Sequence, residues 1–240
     1  MSSLARDARE LGDCVAYFKG LRPQGKIVLM GHSTGCQDAV EYLVGKGGVH
    51  EEGGRSGVDG VVLQGGVSDR EAWADMLDND EAKKGVFDGI VDKAKRLVDE
   101  GRGKEIMPRE GNFVAEELGA PMSAYRTHSL LAHGGDDDYF SSDLSDDVFR
   151  RSLGHIPKST PVCFLLGSED PHVPGFVDKE ALLKRWTGII RGEGGVVDDV
   201  HGGVVSGAHH NLEGDEDEVV ADLVARVCGF VKGLEAGARL

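Results

Sequence analysis

Long apolar runs are missing from this 240-residue sequence. No stretch approaches the roughly 18 residues that a membrane-spanning helix needs, and the N-terminus lacks the apolar core of a signal peptide. A cytoplasmic location is therefore expected. Paired cysteines are missing too. Cys14, Cys36, Cys163 and Cys228 are scattered, with no C-x-x-C, and three lie in apolar helix or strand contexts. That predicts buried thiols in a reducing compartment. Bases are scarce, 27 Lys and Arg against 42 Asp and Glu, for a net charge of −15. The balance argues against nucleic acid and anionic membrane surfaces as partners; it serves solubility and would suit a cationic substrate. The nine histidines show no metal-ligand spacing such as H-E-x-x-H. Neither a phosphate loop nor a dinucleotide fingerprint is present, so no cofactor is expected.

What is present suits a globular α/β chain with a real core: 40% hydrophobic and 29% charged residues. Its organising stretch is KIVLMGHSTGCQDAVEYL, Lys26 to Leu43. Ile27 to Met30 is wholly apolar, as in a parallel strand buried on both faces. Gly31-His32-Ser33-Thr34-Gly35 follows, and Cys36 to Leu43 reads as a helix. Strand, G-x-S-x-G and helix make the layout of a nucleophile elbow. Such a turn is sharp enough to require small residues two before and two after the serine, and it strains the serine backbone. The motif alone is weak, because 36 glycines in 240 residues give roughly 0.3 chance matches. The plain alternative is a glycine-rich turn with a serine N-cap. His32 reads as structural.

Residues 3 to 19 form an amphipathic helix with Leu4, Leu11, Val15 and Phe18 on one stripe, capped by Ser2 or Ser3. Gly45 to Gly57 is a polar, glycine-rich loop, Val58 to Gln64 a second strand, and Asp69 to about Asp78 a helix. Glu81 to Asp99 is another helix, with Val86, Ile90, Ala94 and Leu97 on one face. The segment from about 68 to 155 reads as an insertion forming a helical lid, between core portions at 1–67 and 156–240. Within it, Asp136-Asp137-Asp138 is a candidate for binding a cation or a basic substrate group; the alternative is a run of carboxylates on a solvated face. Pro161 to Leu166 and His201 to Ser206 are further strands, Lys179 to Ile190 and 217 to 234 further helices.

Three strands thus end in polar loops carrying Ser33, then Asp170, then His210. A serine hydroxyl attacks poorly until a base takes its proton. A histidine supplies that base, and a buried carboxylate fixes its tautomer. G-x-x-D-x-x-V-P favours Asp170 over Glu169 as the acid, with His172 at the rim, and G-A-x-H favours His210 over His209 as the base. The Thr34 backbone N–H is the candidate oxyanion donor.

KIVLMGHSTGCQD, LQGGVSDREA, GDDDYFSSDLSDD, LLGSEDPHVP and SGAHHNL together resemble the fungal α/β-hydrolase family that includes intracellular siderophore esterases. The resemblance covers essentially the whole chain. It implies an α/β-hydrolase fold and ester hydrolysis through an acyl-enzyme, of hydroxamate siderophores such as fusarinine, with Ser33, Asp170 and His210 as nucleophile, acid and base. The partner it implies is a small-molecule ester. The sequence departs from the pattern before the elbow, where several strands and the loop giving a second oxyanion N–H are expected and not found. An N-terminally truncated chain, with the elbow strand at a sheet edge, is the expectation. A catalytically silent binding protein on the same fold is the competing one, and amide or thioester cleavage a third.

Overall fold

The computed structural model describes residues 3–78 and 80–236. Ser2, one of the two expected caps, lies outside them. In chain order the elements are α1 (Leu4–Leu21), β1 (Val28–His32), α2 (Gly35–Val44), β2 (Gly60–Gln64), α3 (Asp69–Met76), α4 (Glu81–Asp99) and α5 (Phe113–Glu117). There follow α6 (Ala124–Leu131), α7 (Asp146–Arg151), a 3₁₀ turn at Leu153–His155, β3 (Val162–Gly167), α8 (Lys179–Gly192), β4 (Gly203–Val205) and α9 (Asp217–Ala236). Two compact units result. Among the described residues, one is Ser68–Ser141 with Ser3 and His172–Pro174; the other is Leu4–Val67, Ser142–Pro171 and 175–236.

The second unit is built on one sheet, ordered β1-β2-β3-β4, with all pairs parallel. Val28 pairs with Gly60, Val61 with Val162, and Leu165 with Gly203. Every residue of β2 and β3 is buried, as the continuous apolar runs VVL and VCFLL require. Side chains alternate across β3. Cys163 and Leu165 join Val62, Val205, Leu223 and Phe230 in the core under α9, while Phe164 packs against Trp186 of α8 at 5.6 Å between ring centroids, tilted by 37°. Trp186 also meets Phe149 of α7 and is fully buried. The first unit has its own core, Leu77, Phe87, Val114, Met122, Leu130 and Leu131.

Several expectations need correcting. β1 is not buried on both faces: Met30 is 52% exposed, because among the described strands only β2 lies beside it. In α1, Phe18 is exposed and Ala8 takes the buried place. In α4 the inward stripe runs through Phe87, Ala94 and Leu97, leaving Val86 exposed. Of the cysteines, only Cys36 and Cys163 are buried; Cys14 and Cys228 are exposed. Of the run Asp136-Asp137-Asp138 only Asp136 is on a solvated face; the other two carboxylates are turned inward. Asp137 is buried on Arg126 and Ser129, Asp138 on Arg70 and Ser141, and Asp136 accepts from the Tyr125 hydroxyl. The candidate cation site is therefore filled by the chain's own donors. Among the described residues no helix is long and apolar enough to cross a membrane.

Candidate active site

The site forms where the strands of the second unit end. β1 runs into the turn at Ser33, whose φ of +53° puts a non-glycine residue in the left-handed region. That conformation costs about 1–3 kcal/mol and is held by its surroundings. The Ser33 N–H donates to Gln64 O (3.1 Å), and the Cys36 N–H returns to Ser33 O (2.9 Å). Gly31 makes the turn possible, since a Cβ there would lie 2.3 Å from Gly35 O. Gly35 is different: nothing lies within 4 Å of its Cβ position, so the expectation of a required small residue fails on that side.

Thr34 opens α2 in helical geometry and makes no side-chain cap. By contrast Ser68, Asp80, Asn112, Ser123, Ser145 and Asp178 each accept from a first-turn N–H of α3 to α8. The first turn of α2, directly after Ser33, thus carries no side-chain cap, and its Cys36 N–H returns to Ser33 O instead.

His210 Nε2 lies 2.9 Å from Ser33 Oγ, and His210 Nδ1 lies 2.8 Å from Asp170 Oδ2. The Asp170 side chain is fully buried and the His210 ring nearly so. An ionised carboxylate only accepts, so His210 carries its proton on Nδ1 and offers Nε2 to the serine hydroxyl. The loops holding the two residues are stitched together. Gly207 N donates to Ser168 Oγ (2.8 Å) and Glu169 N to Ala208 O (3.0 Å). Gly65, at φ +63°, leaves room for the imidazole; a Cβ there would stand 3.2 Å from His210 Cε1.

The competing residues sit elsewhere. Glu169 is exposed and accepts from its neighbour Ser168. His209 turns away to Asp215, which accepts from both its backbone N–H (2.8 Å) and its ring (2.5 Å). The backbone bond above all holds the Asp215 carboxyl below the usual carboxylate range. His172 belongs to the other compact unit. Burial pushes the Cys36 thiol far up, so this neighbour of Ser33 stays protonated. Among the described residues no group of three or more His, Cys, Asp and Glu side chains is placed to hold a metal ion. One residue the motifs did not single out is Gln64: buried at the end of β2, it bonds both His32 and the His210 carbonyl. A lone polar residue closing an apolar strand was its only sequence signal.

Residues 1–232 match the family described as "Protein of unknown function (DUF1749)". The chain is 31% identical to the fusarinine C esterase sidJ of Aspergillus fumigatus, over 98% of this chain and 76% of that protein. It is similar to the solved siderophore hydrolase EstB from Aspergillus fumigatus, at 31% identity and a TM-score of 0.76, over 96% of this chain and 76% of that one. A solved α/β-hydrolase-fold protein of unknown function shares the fold at 17% identity and a TM-score of 0.52, with 96% and 72% covered. The fold is that of the α/β-hydrolases.

Proposed function

The chain belongs to the DUF1749 family, and we propose that it is a serine esterase working through an acyl-enzyme. The observation that carries this is the hydrogen-bonded chain Ser33–His210–Asp170, with separations of 2.9 and 2.8 Å. Ser33 Oγ attacks the ester carbonyl as His210 Nε2 takes its proton. Asp170 keeps Nδ1 protonated and stabilises the imidazolium. The oxyanion rests against the Thr34 N–H at the head of α2, favoured by the helix dipole. The Ser33 N–H is committed to Gln64 O and takes no part. Collapse expels the alcohol with the proton from His210. A water activated by the same imidazole then releases the acid.

The substrate is a small-molecule ester. The names of the relatives, a fusarinine C esterase and a siderophore hydrolase, support hydroxamate siderophore esters as the first class to try. We further propose that the protein works in the cytoplasm, where four unpaired cysteines are stable.

The test is labelling of the full chain with a fluorophosphonate, beside Ser33→Ala. Rapid labelling of the wild type that vanishes in the variant is expected, with fusarinine hydrolysis lost in parallel. Folded wild-type protein that takes no label would instead support a silent ligand-binding protein.

A further inference from the structure

Gln64 ties several parts of the site together. It closes β2, paired in register with His32 on one side and Leu165 on the other, and is only 6% exposed. Its main-chain oxygen accepts from the Ser33 N–H (3.1 Å) and from the Cys36 thiol (3.2 Å). Its side-chain Nε2 donates to the His210 carbonyl (3.0 Å), and its Oε1 meets His32 Nδ1. One residue therefore touches the nucleophile, the residue before it and the residue proposed as base. The amide has one orientation. A carbonyl can only accept, so Nε2 faces His210 O and Oε1 faces His32, which must then carry its proton on Nδ1. The His32 ring packs beside the His210 ring, 4.9 Å between centroids and tilted by 47°.

We infer that Gln64 is a positioning residue that sets the Ser33–His210 separation, with the Nδ1–H of His32 as the group that orients it. This rests on the esterase reading above. Rotating the amide would leave a buried carbonyl unpaired on one side and two donors facing each other on the other. Removing the amide frees the 207–212 loop from β2, and a shift of about 1 Å between reacting groups costs on the order of 10²-fold in rate.

The experiment compares the 240-residue wild-type chain with Gln64→Glu and Gln64→Met. It reads fluorophosphonate labelling rates, kcat and KM for p-nitrophenyl acetate, and thermal melts, from acid to neutral pH. We expect labelling rate and kcat to fall about 10- to 100-fold together, with KM within about twofold, because Gln64 acts through Ser33 and His210. The Gln64→Glu deficit relative to wild type shrinks toward acid pH, because a protonated acid restores the donor toward His210 O. The titratable groups facing that position are His32 from β1, the Cys36 thiol from α2, and His210 with Asp170 behind it from the loops after β4 and β3. A merely structural role would move the melts and leave this pH signature absent. Variants that fold and label within twofold of wild type at every pH overturn the inference and leave the esterase reading standing. Folded wild type that takes no label overturns both. If neither variant folds, ¹⁵N NMR of the wild-type histidines decides. His32 protonated on Nδ1 is the expected state, and His32 protonated on Nε2 overturns the orientation on which the inference depends.

Discussion

A methyl group at Gly31 would stand 2.3 Å from the carbonyl oxygen of Gly35, inside any allowed contact, and the obstacle is backbone. The turn would have to open, and Ser33 would lose the left-handed conformation that presents its hydroxyl to His210. At Gly35 the same methyl meets nothing within 4 Å, and the residue begins a helix where alanine is favoured over glycine by up to about 1 kcal/mol. The two substitutions therefore part company. Gly31→Ala should cost about 100-fold or more in fluorophosphonate labelling. Gly35→Ala should label within about twofold of wild type and melt no lower. Equal losses from both would mean that Gly35 is constrained by something other than the elbow. The same residues show what a motif can and cannot convey. G-x-S-x-G marks the turn, and it treats its two glycines alike; only the approach of the Gly35 carbonyl separates them. The loop patterns singled out Asp170 and His210 for the same chemistry, and the structure sets His210 against Ser33 and Asp170 against His210. Gln64 was illegible, because its partners lie 32 and 146 residues away and neither bond leaves a local pattern.

At the scale of elements, hydrophobic runs located the four strands among the described residues and the long helices, since burial sets those patterns directly. What they left open were phase and exposure. β1 reads as apolar as β3, yet one is an edge strand among those described and the other is central, and edge position depends on which strands lie alongside. The start of β1 is fixed by a polar clip instead. Asp59, just before β2, accepts from the Ile27 N–H (2.8 Å) and from the Lys26 ammonium (3.0 Å). Burial works against the Asp59 carboxylate, but these two donors outweigh it and hold its pKa below the ordinary value. A depressed carboxylate stabilises the fold above its unfolded pKa of about 4, and that contribution is lost as pH falls through the lower folded value. Asp59→Asn should thus cost about 1 kcal/mol near pH 7, a few degrees in the melt, and less near pH 3, below the unfolded value of about 4. Thermal melts at the two pH values check this. A loss that is the same at both would remove charge from the explanation.

The whole molecule carries 15 more acids than bases, and the acid-rich segment shows where part of that charge goes. Asp137 is buried in the first unit, met by Arg126 Nη1 at 2.7 and 2.6 Å and by the Ser129 hydroxyl. A carboxylate so placed is costly to desolvate and is tolerated because its donors are complete. Asp137→Ala leaves a mostly buried guanidinium without this partner, a loss of about 3 kcal/mol. The two tryptophans allow that loss to be located. Trp73, in α3, packs on the core of the first unit, and Trp186 lies between Phe149 and Phe164 in the second. Trp186→Phe leaves fluorescence that reports the first unit alone, and Trp73→Phe leaves a reporter of the second. Adding Asp137→Ala to each should lower the Trp73 transition by several degrees and the Trp186 transition by much less, because each unit has its own apolar core. Identical shifts in both would show that the units unfold as one cooperative body. The stability of the first unit would then be set by the molecule as a whole and not by the Asp137–Arg126 pair within it.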